Sequence, residues 1–191
     1  MIAFAADAHL ATATPAPVAA FDEVYRAHVG GVWRALSGLG VRSADVHDAC
    51  QEVFVVVHRR LPEFDGRHKV STWIHAICVK VALAFRRRAS TRREVLVDEA
   101  PEAVAQGTPE QALDARQSMA ALGRILDVLD DDKRAVFVLF EIEGLAMNDV
   151  AEAVGCPLQT AYSRLHAARE KVSQAMKRAL LPTTPSPRRT P

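Results

Sequence analysis

"NDVAEAVGCPLQTAYSRLH" (148–166) is the stretch on which the reading of this chain turns. Ala151 stands four residues before Gly155; it is small enough for two helices to cross closely, and Gly155 permits a left-handed turn between them. Pro157 then falls in the first turn of a second helix, where its missing N–H costs nothing. In that second helix Ala161, Leu165, Ala168 and Val172 share one apolar stripe, extended by Leu158 and Met176. Gln159, Ser163, His166 and Glu170 point away from the stripe, with Thr160, Tyr162, Arg164 and Arg169 on its flanks. The spacing predicts a helix-turn-helix whose second helix offers short polar groups to base edges and long cations to phosphates.

The charge distribution agrees. The 191 residues carry a net charge of only +1, yet the charges are segregated. Arg59 to Arg93 holds ten Lys/Arg against Glu63 and Asp65. Glu94 to Asp114 holds six acids and no base, and Pro157 to Leu180 holds five bases against Glu170. Two basic blocks either side of an acidic one suggest two polyanion-binding modules on a linker. A hydrophobic fraction of 49% with few aromatics and abundant Ala, Val and Leu favours helices over a sandwich.

Around this centre the chain divides into five parts. Residues 1–20, Ala-rich with Pro15 and Pro17, read as a disordered extension. Residues 21–91 form a first helical domain, with helical periodicity over 21–40, 44–61 and from Ser71 or Thr72 to about Arg88. "PEFDGRHKV" (62–70) interrupts it as a loop. Residues 92–112 are a flexible acidic linker. Residues 113–180 form a second helical domain, in which "LDDDKRAVFVLFEIEG" (129–144) has aspartates for its start and Gly144 for its stop, ahead of helices 148–154 and 158–180. Residues 181–191 are a disordered, basic, Pro-rich tail. The expected fold is all-α, two small helical domains.

In the first domain, helix 44–61 buries Val46, Ala49, Cys50, Val53, Phe54, Val57 and Leu61 and turns Asp48, Gln51, Glu52 and Arg59 outward. Asp48 and Glu52 lie four apart, so their carboxylates are neighbours. They read as an acid or metal pair only if a His stood at matching spacing, and none does, which leaves a solvated or protein-docking face. In 71–88, Ile74, Ile77, Cys78, Val81 and Phe85 make the core stripe, while Trp73, Lys80, Ala84 and Arg87 run along another face into Arg86–Arg87–Arg88. Such a face can follow a phosphate backbone and stack a base, although Trp73 also suits a core position.

No Gly-rich phosphate loop, nucleophile elbow or metal cluster occurs, so no catalytic residue, metal or cofactor is expected and the chain is not read as an enzyme. Cys50, Cys78 and Cys156 are far apart in apolar surroundings and read as small core residues. No run reaches the ~20 apolar residues of a membrane span, and no signal peptide is visible. A cytoplasmic location is expected.

The order of these motifs resembles the extracytoplasmic-function sigma factors of bacterial RNA polymerase. "DACQEVFVVVHRRLPEFDGRHKVSTWIHAICVKVALAFRRR" (48–88) is similar to their region two, and "LDDDKRAVFVLFEIEGLAMNDVAEAVGCPLQTAYSRLHAAREKV" (129–172) to their region four. The resemblance implies a subunit that docks on core RNA polymerase, melts the −10 promoter element with region two and binds the −35 element with region four. Asp48, Gln51 and Glu52 would face the polymerase. Phe64, Asp65, His68 and Lys69 would hold an extruded −10 base, beside Trp73, Lys80, Arg87 and Arg88. Gln159, Thr160, Tyr162, Ser163, Arg164, His166 and Arg169 would meet the −35 duplex. Glu94–Asp114 would thread the polymerase, and an anti-sigma factor is an expected partner. Lys80 and Ala84 depart from the usual Asn and Asp, Tyr162 and Ala167 from the usual Lys and Arg. Ala146 replaces a Ser helix cap, for which Asn148 could substitute. The competing reading is a free-standing helix-turn-helix regulator, which has no need of a polar docking face followed by a basic, aromatic-led helix.

Overall fold

The computed structural model describes residues 17–93 and 122–180. Among them helices are joined by turns and no strand occurs. They are α1 (Pro17–Gly38), α2 (Val46–Arg60), a 3-10 turn (Leu61–Glu63), α3 (Val70–Arg93), α4 (122–126), α5 (Asp131–Phe137) running on as a π-helical turn (Val138–Ile142), α6 (Met147–Val154) and α7 (Leu158–Leu180). The chain is all-α, as its periodicity indicated.

The bounds differ from the sequence reading in places. Helix α1 starts at Pro17, so the last four residues of the extension expected over 1–20 are helical; Pro17 itself suits a first helical position. Helix α3 continues to Arg93, since nothing after Arg88 breaks it. Residues 1–16, the acidic segment 94–112 and the tail 181–191 lie outside the described residues. Asn148 does not cap α6. Ala146 takes the extended cap conformation (φ −64°, ψ 147°) without a side-chain bond, and Asn148 falls one residue inside the helix. Pro157 accepts at its carbonyl from the Ala161 N–H (3.0 Å), which makes it the cap of α7 rather than a first-turn residue.

Helices α1 and α6 end alike. Gly40 (φ +89°) and Gly155 (φ +69°) take the left-handed turn. The following N–H groups of Val41 and Cys156 reach back to Leu36 and Ala151, at 3.1 and 3.0 Å. Helix α5 begins on Asp130, whose carboxylate accepts from the Lys133 N–H at 3.0 Å.

Helices α1–α3 make an amino-terminal bundle and α4–α7 a carboxy-terminal one, and the two pack together: α3 lies against α6, and α1 against the π-helical turn. A single core runs through both. This explains why α3 buries more than one stripe. Ile74, Ile77, Cys78 and Val81 are buried as expected, but so are Thr72, His75 and Val79, because α6 covers a second side of the helix. On α7, Ala161, Leu165, Ala168 and Val172 are buried, whereas Leu158 and Met176 are 40% and 47% exposed. The short α5 and α6 do not cover both ends of the 23-residue α7. Cys50 and Cys78 are buried free thiols whose pKa values burial raises, which makes them inert packing groups.

Candidate nucleic-acid interface

The turn that opens the site is built from Leu61–Glu63 and Phe64, after which Gly66 takes φ +70°. Asp65 folds the loop on itself by accepting from the Arg67 N–H (3.1 Å) and pairing with its guanidinium (3.1 Å). This brings the Phe64 ring to 5.2 Å from Trp73, the rings tilted by 40°. Trp73 is half-buried at the first turns of α3, and its N–H bonds to the Lys69 carbonyl. The sequence left Trp73 between core and surface; it is both, packed inward on one side and open on the other.

Lys80 and Arg87 are exposed farther along α3. Arg88 lies over the Phe85 ring (5.2 Å) and reaches Glu52 of α2 at 3.5 Å. Glu52 is thus held by α3, while Asp48 and Gln51 are exposed, with Val55 beside them 47% exposed. The outer face of α2 therefore sets an apolar Val55 among polar groups that include Asp48 and Gln51.

His68 and Lys69 are more than half exposed, yet both are paired. His68 Nδ1 lies 2.8 Å from Glu152, and Lys69 Nζ donates to Asp149 at 3.1 Å, both acids on α6. Arg86, at the far end of α3, bonds the Leu39 carbonyl and pairs with Asp131 at 2.6 Å. Between these ends Glu143, whose side chain is nearly buried, takes Arg34 at 3.2 Å with His75 Nε2 at 3.8 Å. Burial lowers the pKa of the nearby His28, and the charge of His75 adds to the effect. None of these cross-unit contacts was legible in the sequence, because each joins residues dozens of positions apart.

On α7, Gln159, Tyr162, Ser163 and His166 are exposed and Thr160 is half-buried. The Ser163 hydroxyl donates to the Gln159 carbonyl at 2.9 Å, leaving its lone pairs outward. The two arginines flanking this face, Arg164 and Arg169, are already engaged within their own unit. Arg164 pairs with Asp132. Arg169 bonds Glu141 at 2.6 Å and lies over the Phe140 ring at 5.6 Å. Phe140, Tyr162, Ser163, Leu165, His166 and Arg169 line a shallow hollow of about 540 Å³. Phe140 and Glu141 come from the π-helical turn, and sequence reading did not single them out. A π-helical turn has no signature at the level of residue type.

The described residues hold no group of three or more His, Cys, Asp or Glu able to bind a metal ion, and no helix long and apolar enough to cross a membrane.

Residues 24–92 match the family description "Sigma-70 region 2" and residues 119–172 "Sigma-70, region 4". The chain is similar to the ECF RNA polymerase sigma factor SigE of Mycolicibacterium smegmatis, 31% identical over 164 residues, which are 85% of this chain and 63% of that protein. It is 30% identical to the ECF RNA polymerase sigma-E factor of Escherichia coli over 141 residues, 69% of this chain and 74% of the other. Among solved structures it resembles CnrH in complex with the cytosolic domain of CnrY, with a TM-score of 0.67 at 22% identity over 84% of this chain and 90% of the other. It also resembles the sigma factor RpoE in complex with the anti-sigma factor NepR from Bartonella quintana, with a TM-score of 0.65 at 18% identity, over 83% and 97% of the two chains. These two show the fold. The chain spans less than two thirds of the length of the mycobacterial relative.

Proposed function

Because the chain belongs to the extracytoplasmic-function sigma factors of the sigma-70 family, we propose that it binds core RNA polymerase and directs promoter recognition, −10 melting and transcription initiation. The observation that carries this is the pairing, in one chain, of the basic α3 headed by the Phe64–Trp73 aromatic pair with the α6–α7 helix-turn-helix. The first suits an unstacked single strand, the second a duplex.

In this reading Asp48 and Gln51, with Glu52 beside them, dock on the polymerase. Phe64, Asp65, His68 and Lys69 receive an extruded −10 base, and Trp73, Lys80, Arg87 and Arg88 follow the strand. Gln159, Thr160, Tyr162, Ser163 and His166 face the −35 duplex, with Arg164 and Arg169 at its phosphates. The last two must leave Asp132 and Glu141, or share them, to do so. The chain supplies binding and positioning; bond-making belongs to the polymerase. It acts where the polymerase does, in the cytoplasm. An anti-sigma factor is the expected antagonist, as NepR is the named partner of the Bartonella protein.

A free-standing regulator would use the helix-turn-helix alone, as a dimer, and has no role for α2's outer face or for α3. The deciding experiment mixes the full chain with core RNA polymerase and sequences the transcripts initiated on genomic DNA. New start sites sharing spaced −35 and −10 elements are expected. Unchanged start sites, with tight sequence-specific binding by the protein alone, would overturn the reading.

A further inference from the structure

Arg164 and Arg169 of α7 are both held by acids, but by different edges of their guanidinium groups. Arg164 gives Asp132 an Nη2 donor from the outer fork, and its side chain is only 25% exposed. Arg169 gives Glu141 its inner Nε at 2.6 Å, and its side chain is 55% exposed. A guanidinium carries its N–H donors in a rigid fork, one on Nε and the rest on the two Nη nitrogens. Among the described residues nothing accepts from the Nη groups of Arg169. The inner edge of Arg169 is therefore pinned while its outer fork, the part that matches a pair of phosphate oxygens, stays open.

A second contact completes the pin. The guanidinium lies over the Phe140 ring, 5.6 Å from its centre. Adjacent residues of an α-helix diverge by about 100° around its axis and seldom meet one side chain. Phe140 and Glu141 both meet Arg169 where the helix widens into its π-helical turn, closed by the Glu143 N–H on the Val138 carbonyl at 3.0 Å. Arg169 lines the shallow hollow together with Ser163 and His166. His166 lies one turn before Arg169, on the same side of α7.

We propose that Glu141 and Phe140 are positioning residues for Arg169, holding its outer fork ready to seat one backbone phosphate of duplex DNA. The inference rests on the reading of α7 as the helix that meets a duplex. It goes beyond that reading by making the acid beside the cation a support for binding, not a competitor of the phosphate. An unrestrained arginine loses rotamer freedom when it takes a phosphate, and a side chain already fixed by a carboxylate and a ring loses less. Arg169 keeps Glu141 while it binds DNA, whereas Arg164 must leave Asp132 to offer its own outer fork.

The test measures binding of the full chain to a short labelled duplex of random sequence, by fluorescence anisotropy at low salt, because a phosphate seat is indifferent to sequence. Glu141→Ala should bind roughly three- to ten-fold more weakly than wild type, although it removes a negative charge. Glu141→Gln keeps an acceptor for Nε and should restore wild-type affinity or exceed it. Asp132→Ala, which releases the outer fork of Arg164, should not weaken binding. In an Arg169→Ala background, Glu141→Ala should have no further effect. The proposal is overturned if Glu141→Ala binds as tightly as wild type, if Glu141→Gln is as weak as Glu141→Ala, or if the loss persists with Arg169 absent. An Arg169→Ala variant that binds the duplex like wild type would overturn it as well. Transcription with core polymerase tests the sigma reading separately: if no new start site appears, that reading fails, while the duplex measurements still decide how Arg169 is held.

Discussion

Arg134 of α5 donates from Nε to the carbonyl of Gly38, the last residue of α1, at 2.8 Å, and its side chain is only 2% exposed. A cation from one bundle thus closes the carbonyl end of a helix in the other. Asp127 accepts from its Nη1 at 2.9 Å. Burial lowers the pKa of this guanidinium, and Asp127 opposes the shift. The head of Arg134 lies so close to Gly40 that a Cβ there would stand 2.8 Å from Cζ.

Gly40→Ala therefore meets two obstacles, a positive φ and a guanidinium that cannot withdraw without losing Gly38. The expected loss is about 1–3 kcal/mol in urea unfolding. Gly66→Ala, at φ +70° with nothing within 4 Å, has only the first obstacle and should cost about 1 kcal/mol. Equal losses at the two sites would show that Arg134 yields freely.

Asp130→Ala removes the cap of α5 and should cost about 0.5–2 kcal/mol at neutral pH. The Lys133 side chain, helped by its N–H, holds the Asp130 carboxyl below its ordinary value of 3.8. A lowered acid pKa in the folded state stabilises above the ordinary value, and that part is lost as pH falls through the folded pKa. The gap in urea midpoint between wild type and variant should therefore narrow below pH 3.8. A constant gap would mean the carboxylate's charge contributes nothing.

Asp48→Ala with Gln51→Ala should weaken binding to core polymerase while changing stability by no more than about 0.5 kcal/mol each, since both side chains are exposed. Titration of labelled protein with polymerase measures this. Unchanged affinity would move the docking face elsewhere.

On α7, Arg169→Ala should weaken binding to all −35 sequences alike and reduce the salt slope by about one unit. Gln159→Ala or Ser163→Ala should change which sequence is preferred, by roughly 1–3 kcal/mol for a good bidentate contact. The readout is a randomised −35 library transcribed by each holoenzyme. Retained preference in the Gln159 and Ser163 variants would show that this face does not read bases.

The local features were legible in the sequence. The glycine turn of the helix-turn-helix, the α2 stripe from Val46 to Val57 and the burial of Cys50 and Cys78 follow from spacing and residue type, which are short-range properties, whereas Leu61 and Cys156, expected in the core, are only half-buried. The closing of one bundle on the other was not. It depends on Arg134, on a π-helical turn without a signature, and on acids of α6, none of which the residue pattern singles out. Charge segregation along the chain marked the basic blocks as polyanion-binding but did not indicate which acids of the chain they meet. The described contacts use Asp131, Glu143, Asp149 and Glu152, and the segment 94–114 lies outside the described residues.

The core shared by the two bundles has a calorimetric consequence. A Cβ at Gly38 would stand 3.0 Å from Val138, so the last turn of α1 and the π-helical turn are in direct packing contact. Melting the amino-terminal bundle alone would strip Val138 of its cover and leave Arg134 without the Gly38 carbonyl, and melting the other would uncover the end of α1. The folded chain should therefore lose heat capacity structure in one endotherm, with van't Hoff and calorimetric enthalpies equal, where two independently hinged domains would give two.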